Sequence, residues 1–290
     1  MFRGVFTALV TPFRGGAIDE GALRALVEEQ VAAGVDGLVP CGSTGEAATL
    51  SHDEHRRVVE LVVAAARGRV RVIAGTGSNA TQEAIELTAH AKGAGADGAL
   101  LISPYYNKPT QDGVVRHYEA VARATRFPLL AYNIPGRTGS NLLPGTLARL
   151  AEIEHVVGVK ESCGDLHQIA QLLARVPSEF AVLSGDDWAT LPMLVLGGAG
   201  VISTASNLVP RETREMVRAF FAGDVAKARA LHFRLLPLCD ALFSETNPIP
   251  IKAALSLVGK LEDELRLPLT ALTPPNREHL RLAMKEFGLL

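Results

Sequence analysis

Lys160 is the residue whose surroundings most strongly suggest chemistry. It follows the apolar run Val-Val-Gly-Val at residues 156–159, which is typical of a buried strand. Burial disfavours the ammonium form of a lysine, and the neutral amine is the form that attacks a ketone or aldehyde to give a Schiff base. The alternative is a structural lysine that extends to water or pairs with a carboxylate such as Glu161.

Two further side chains could act together with this lysine. Tyr132 ends the strand predicted just before that of Lys160. Neighbouring strands lie about 4.8 Å apart, so the phenol can reach the lysine nitrogen and move protons during carbinolamine dehydration. Arg137 offers a planar fork suited to a carboxylate. The alternatives are a core aromatic for Tyr132 and an ordinary surface arginine for Arg137.

The segment Gly-Ser-Thr-Gly-Glu at residues 42–46 could bind an anion. Its backbone N–H groups and two hydroxyls lie just before a predicted helix. It is too short for a nucleoside-triphosphate loop and lacks the lysine of one, so a carboxylate suits it better than a triphosphate. The alternative is an ordinary glycine-containing turn.

Short apolar strands alternate with amphipathic helices along most of the chain. Strands are predicted at about residues 5–10, 37–41, 70–75, 98–103, 128–133, 156–160, 180–185 and 200–203. Helices are predicted between them at residues 20–33, 52–66, 81–94, 111–124 and 165–175. Eight such repeats predict an α/β fold, a closed (β/α)₈ TIM barrel, in which the polar strand ends meet on one face. A doubly wound sheet would carry a glycine-rich dinucleotide loop after its first strand, and this chain has none there.

After the last strand the sequence predicts only helices, at residues 210–222, 224–243, 250–258 and 276–287. We therefore expect residues 1–222 to form the barrel with the active site. Residues 223–290 are expected to form a C-terminal helical extension packed on it, within a single structural unit.

Composition excludes several classes of function. A net charge of −2 gives no electrostatic basis for binding nucleic acid or an anionic membrane, and no apolar run reaches the length of about 18 residues that spans a bilayer. Three scattered cysteines, Cys41, Cys163 and Cys239, match neither a disulfide framework nor a zinc motif. His52 and His55 lack a third metal ligand nearby. These features favour a cytoplasmic protein without a bound metal.

The combination of motifs resembles one family closely. Residues 42–46, the Tyr-Asn-Ile-Pro-Gly-Arg segment at 132–137 and Gly-Val-Lys-Glu at 158–161 are similar to those of the pyruvate-dependent class I aldolases, which include dihydrodipicolinate synthase and N-acetylneuraminate lyase. The resemblance extends to Gly-Thr-Gly at 75–77, Ser-Gly-Asp-Asp at 184–187 and Asn-Pro-Ile-Pro at 247–250. It implies a lyase that works through a Schiff base and needs no metal or organic cofactor.

Residue by residue, the resemblance implies that Lys160 forms the imine with pyruvate and that Tyr132 donates and accepts protons. Ser43 and Tyr106 would complete the relay, with Tyr106 supplied by a neighbouring subunit in an obligate dimer and commonly a dimer of dimers. Ser43 is a departure, because synthases usually carry threonine there. A serine retains the hydroxyl but loses the methyl group that restricts its rotamer.

The resemblance also implies how the substrates bind. Thr44 would hold the pyruvate carboxylate, Ile202 would contribute a backbone contact and Gly185 would allow close backbone approach. Arg137 favours the synthase branch, in which it binds the carboxylate of the second substrate, L-aspartate 4-semialdehyde, for lysine and diaminopimelate biosynthesis. The alternatives are an aldolase acting on a sugar acid or sialic acid, and a non-catalytic sensor, against which Lys160, Tyr132 and Ser43 together argue.

In lysine-sensitive synthases the inhibitor occupies a cleft between subunits. The resemblance places this cleft at Ala48, His52, His55, Asn79, Glu83 and Tyr105. A carboxylate can neutralise an ammonium group, whereas amide and phenol groups can hydrogen-bond a carboxylate. The alternative is that these are ordinary interface residues. The resemblance therefore implies feedback inhibition by L-lysine.

Overall fold

The computed structural model describes residues 2–290. Its ten strands are β1 (Gly4–Ala8), β2 (Phe13–Arg14), β3 (Ala17–Ile18), β4 (Gly37–Val39), β5 (Arg71–Gly75), β6 (Gly98–Ile102), β7 (Leu129–Asn133), β8 (Val156–Glu161), β9 (Ala181–Ser184) and β10 (Gly200–Ser203). Eight of them form a closed barrel in the order β1-β10-β9-β8-β7-β6-β5-β4, and all of these pairings are parallel. The predicted (β/α)₈ barrel with a C-terminal helical extension is confirmed.

Helices follow the strands around the outside of the barrel. They are α1 (Glu20–Ala33), α2 (His52–Ala66), α3 (Thr81–Gly93), α4 (Gln111–Thr125), α5 (Pro135–Thr138), α6 (Pro144–Ala151), α7 (Leu166–Leu173), α8 (Thr190–Val195), α9 (Pro210–Phe221), α10 (Val225–Leu242), α11 (Ile249–Leu257) and α12 (Pro274–Phe287). The predicted division after residue 222 falls in the turn between α9 and α10.

Local signals account for the position of several helix ends. Ser51 and Glu54 form a capping box, in which each side chain accepts a hydrogen bond from the other residue's backbone N–H, so α2 begins at its predicted residue. Asp19 caps α1 by accepting from the N–H of Ala22. Gly34 ends α1 in the left-handed conformation with φ 76°, which glycine adopts without steric cost.

The barrel interior is filled by large apolar side chains from successive strands. They form a buried cluster that includes Phe6, Val39, Ile73, Leu100, Leu130, Tyr132, Leu183 and Ile202. A second, larger apolar core lies between the outside of the barrel and the helices, because each strand presents alternate side chains to its two faces. This filled interior gives the strand ends a rigid base.

Several elements of the fold were absent from the sequence interpretation, among them a hairpin and the short helices between β7 and β8. Strands β2 and β3 form a small antiparallel hairpin across Gly15 and Gly16, which both have positive φ. Helices α5 and α6 fill the connection between β7 and β8. Both begin with proline, whose fixed φ suits a first helical position. The short α6 also contains Gly145, and because glycine is a weak helix former the helical pattern there is weak.

Candidate active site

A cavity of about 390 Å³ opens at the carboxyl ends of the barrel strands. Its wall includes Ser43 from the loop after β4, Tyr132 from β7 and Arg137 from α5. It also includes Asn247 and Pro248, which precede α11 of the C-terminal extension. Parallel topology and the packing of the C-terminal extension thus bring together residues that are up to about two hundred positions apart in sequence, on the face where barrel enzymes place their chemistry.

Lys160 lies in β8 and is only 6% exposed. Its Cα is in register with those of Tyr132 in β7 and Leu183 in β9, and its Nζ lies 4.3 Å from the centre of the Tyr132 ring. Within residues 2–290 no ion pair joins Lys160 to a carboxylate. The lysine therefore neither extends to water nor pairs with an acid, which were the two structural alternatives.

Glu161, the neighbour of Lys160, belongs to a different environment. Its carboxylate accepts hydrogen bonds from Asn133 Nδ2 at 2.9 Å and from the backbone N–H of Cys163 at 2.9 Å. Successive strand residues point to opposite faces, so Glu161 faces away from the barrel interior while Lys160 faces toward it. Burial raises the pKa of Glu161 to about 7, although the hydrogen bonds from Asn133 and Cys163 oppose the shift.

Gly185 provides the space that the Lys160 side chain occupies. A Cβ atom at this position would lie 2.9 Å from Lys160 Cε and closer still to Ser162 Oγ. Neither contact is tolerable without displacement of a side chain. The backbone N–H of Gly185 donates to the Glu161 carbonyl at 2.8 Å, which holds the end of β9 against β8.

Two aspartates follow Gly185 and were not assigned roles from the sequence, although they belong to a quoted motif. Asp187 is buried and accepts hydrogen bonds from Ser203 Oγ at 2.5 Å and from the backbone N–H groups of Thr204 and Ala205, each at 3.0 Å. Asp187 thereby fixes the loop after β10. Burial raises the pKa of Asp186 to about 6, and the positive charge of Lys160 acts in the opposite direction.

The loop after β4 holds its hydroxyls through contacts with distant parts of the chain. Thr44 is 2% exposed, and its Oγ1 accepts a hydrogen bond from Asn247 Nδ2 at 2.8 Å and lies 3.4 Å from Thr204 Oγ1. Ser43 is half-buried and borders the cavity. The loop thus presents one tethered hydroxyl and one that contacts the cavity.

Arg137 is exposed at the cavity and is oriented by the same asparagine. Its Nη2 donates to the Asn247 carbonyl oxygen at 2.7 Å, which leaves other guanidinium N–H groups for a ligand. Asn247 therefore connects Thr44 with Arg137, and its buried Oδ1 has no hydrogen-bond partner in the described chain. Sequence reasoning missed this role. The signal for it was the Asn-Pro-Ile-Pro segment at residues 247–250.

Comparison with known proteins identifies the family of the chain. The sequence profile described as the "Dihydrodipicolinate synthetase family" matches residues 1–287. The chain belongs to the dihydrodipicolinate synthetase family.

Relatives of the chain within this family align over its full length. It is 55% identical over 290 residues to a 4-hydroxy-tetrahydrodipicolinate synthase from Syntrophus aciditrophicus, covering 100% of both chains. The dihydrodipicolinate synthase of Aquifex aeolicus has a TM-score of 0.98 and 48% identity, covering 99% of each chain. A lysine-bound enzyme from Cyanidioschyzon merolae has a TM-score of 0.97 and 44% identity, covering 100% of this chain and 99% of that one.

Of the residues that the resemblance assigned to this dihydrodipicolinate synthetase family site, Ser43, Tyr132 and Arg137 line the cavity, whereas Lys160, Thr44, Gly185, Tyr106 and Ile202 are not among its described lining residues. Tyr106 is 88% exposed, has a positive φ of 69° and is not among the described residues that line the cavity of its own chain. That Tyr106 reaches the active site of a neighbouring subunit stays a prediction. Ile202 is fully buried inside the barrel with Tyr132, and its backbone contact to a substrate also stays a prediction.

The predicted lysine cleft adjoins the same cavity. The residues that line the cavity include Ala48, His52, His55, Glu83 and Tyr105. Asn79, the sixth predicted residue, is outside this lining, and its carbonyl accepts a hydrogen bond from Asn107 at 2.9 Å.

Three polar contacts define the chemistry of this cleft. His52 Nε2 lies 2.7 Å from Glu83 Oε1, and Ser78 donates a short hydrogen bond to the other oxygen of Glu83. These two contacts lower the pKa of Glu83, with that from Ser78 acting most strongly. His55 Nε2 bonds the Gly75 carbonyl at 2.7 Å, and its buried Nδ1 has no partner in the described chain.

The described residues contain no grouping of three or more histidine, cysteine or acidic side chains that could hold a metal ion. The three cysteines are free thiols, and burial raises the pKa of each. Within residues 2–290 no helix is both long and apolar enough to cross a membrane.

Proposed function

We propose that this chain is a 4-hydroxy-tetrahydrodipicolinate synthase, which condenses pyruvate with L-aspartate 4-semialdehyde in lysine and diaminopimelate biosynthesis. The observation that carries the proposal is the buried Lys160, which has no ion-pair partner in the described chain and whose Nζ lies 4.3 Å from the Tyr132 ring centre. The relatives named in the comparisons support the choice of this reaction.

The first half of the reaction takes place on Lys160. Its neutral amine forms a C–N bond to carbon 2 of pyruvate, and the former carbonyl oxygen takes up a proton and leaves as water. In this proposal Tyr132 delivers that proton, and Ser43 connects it to a hydroxyl relay. Thr44, held by Asn247, positions the pyruvate carboxylate. This scheme uses no metal and no organic cofactor.

The second half forms the carbon–carbon bond. Loss of a proton from carbon 3 gives the enamine, whose carbon 3 attacks the aldehyde carbon while the aldehyde oxygen takes up a proton. The amino group of the added unit then displaces the Lys160 nitrogen from the imine carbon, which closes the ring and frees the enzyme. Arg137, oriented by Asn247, binds the carboxylate of the semialdehyde through its remaining N–H donors.

The alternative within the family is an aldolase that acts on a sugar acid or sialic acid. Such a substrate would need hydroxyl partners and space where Arg137 offers a guanidinium to the cavity. The test compares turnover of pyruvate plus L-aspartate 4-semialdehyde with cleavage of N-acetylneuraminate by the same preparation. We expect the first reaction and not the second. Cleavage of the sugar acid without condensation would reject the synthase assignment.

We propose L-lysine as a feedback inhibitor that binds the cleft at His52, His55 and Glu83. The lysine-bound relative supports this proposal, as does the acidic Glu83, which can pair with an ammonium group. Lysine should reduce the rate in a titration, and Glu83→Gln should weaken the inhibition. Full activity at millimolar lysine, together with no binding heat in calorimetry, would show that the cleft is structural.

We also propose a cytoplasmic homo-oligomer, at least a dimer and most simply a dimer of dimers. The 88% exposure of Tyr106 supports an assembly, because a large aromatic side chain at such exposure is suited to a subunit contact. Sedimentation of the purified protein would measure its mass. A monomer that is fully active would contradict the proposed donation of Tyr106 between subunits.

A further inference from the structure

Glu46 and Lys252 form an ion pair that is completely buried at the end of the barrel. Their side chains are both 0% exposed, and Lys252 Nζ lies 2.6 Å from Glu46 Oε1. The same ammonium group donates to the Thr11 carbonyl at 3.0 Å and lies 4.3 Å from the centre of the Phe13 ring. Glu46 Oε2 accepts from the backbone N–H of Arg266 at 3.1 Å. Both charged groups are thus held in one geometry.

Glu46 is the last residue of the loop that carries Ser43 and Thr44. Its backbone is left-handed, with φ 53°, and its N–H donates to the Ser43 carbonyl at 3.1 Å. A non-glycine residue adopts this conformation at a steric cost, so surrounding contacts have to maintain it. The ion pair is one such contact, because it ties the glutamate side chain to an element outside the loop.

That element is the C-terminal extension. Lys252 lies in α11, and Asn247, just before the same helix, donates to Thr44 Oγ1 at 2.8 Å. The helix and its leading residue therefore hold the loop at Thr44 and again at Glu46. Their own positions in sequence are more than two hundred residues away from these two partners.

We propose that the Glu46–Lys252 pair consists of positioning residues, which set the places of the Ser43 and Thr44 hydroxyls for reaction with pyruvate. The C-terminal extension thereby becomes part of the catalytic geometry. This inference rests on the proposed function.

Stability alone is a weaker explanation of the pair. Desolvating two charges offsets most of their mutual attraction, so a buried ion pair stabilises little relative to apolar residues of similar volume. Burial lowers the pKa of Lys252, and the adjacent Glu46 carboxylate offsets part of that shift. The pair instead orients the loop, because it holds the strained backbone of Glu46 in place next to the hydroxyls of Ser43 and Thr44.

The test uses Glu46→Gln, Lys252→Met and the double variant that combines them. The double variant contains no unpaired buried charge, so it remains usable if a single variant does not fold. For each protein we would measure thermal unfolding, the rate of borohydride-trapped pyruvate imine at 25 °C, and kcat and KM for both substrates.

We expect the folded double variant to lose about tenfold to a hundredfold in kcat and in the rate of imine trapping, as small displacements of reacting groups do. The KM for pyruvate should rise while the KM for the semialdehyde stays near the wild-type value, because Arg137 is held by Asn247 and not by Glu46. A purely structural pair would lower the unfolding temperature and leave these constants unchanged.

Lys260→Met is the matched control. Lys260 also lies in the C-terminal extension and pairs with Glu29 at 2.5 Å, but the two side chains are 25% and 39% exposed and neither residue lines the cavity. We expect wild-type kinetics from this variant. Wild-type pyruvate constants in the folded double variant, or an equal loss in Lys260→Met, would overturn the proposal. A wild-type protein that traps no pyruvate imine would instead reject the proposed function.

Discussion

Replacing Arg137 with alanine should impair use of the second substrate while imine formation with pyruvate continues. The guanidinium is exposed at the cavity, and one terminal nitrogen is already bound to the Asn247 carbonyl at 2.7 Å. The other N–H groups form the planar fork that matches a carboxylate. The substitution therefore removes the charged donor at the place where the semialdehyde carboxylate is proposed to bind.

The size of the effect follows from the kind of bond. A hydrogen bond to a charged group contributes about 1.5–3 kcal/mol, which corresponds to a loss in kcat/KM for the semialdehyde of roughly tenfold to 150-fold. Arg137→Lys keeps the positive charge but lacks the fork, so it should recover only part of the loss.

The assay varies the semialdehyde at saturating pyruvate and, in parallel, traps the pyruvate imine with borohydride. The trap is needed because Asn247 also holds Thr44 at 2.8 Å, so a displaced asparagine would disturb the pyruvate side as well. Unchanged semialdehyde kinetics in Arg137→Ala would refute the reasoning. Loss of imine trapping would show instead that the arginine acts through Asn247.

Three other outcomes follow from the structure. Borohydride with pyruvate should modify Lys160, located by peptide mass spectrometry, and an adduct on the other buried lysine, Lys252, would contradict the assignment. Gly185→Ala should slow imine trapping about a hundredfold, because its Cβ would lie 2.9 Å from Lys160 Cε, whereas Gly145→Ala, which meets open space, should not. Burial raises the pKa of Glu161 from its ordinary 4.5 to about 7, so the folded state holds a proton over that interval and the residue's contribution to the free energy of unfolding falls as pH rises through it. Glu161→Gln should remove up to about 3 kcal/mol of this pH dependence in urea titrations, and an unchanged pH profile would contradict the proposed burial effect.

The sequence by itself determined the barrel and the identity of its main candidate nucleophile. Hydrophobic periodicity and capping residues act over a few positions, so β8 and α2 begin where the local pattern predicts. Parallel topology then requires the strand ends to meet, which is why the sequence alone predicts that Lys160 and Tyr132 lie together.

Only the tertiary structure decided how those residues are held. Asn247 connects Thr44, 203 positions earlier, with Arg137, 110 positions earlier, and Lys252 reaches Glu46 across 206 positions. No local pattern encodes such pairs, because they depend on how α11 packs against the barrel end. In the sequence Lys252 is one more polar residue of a predicted helix, and its pairing with the Glu46 carboxylate becomes evident only in the folded chain.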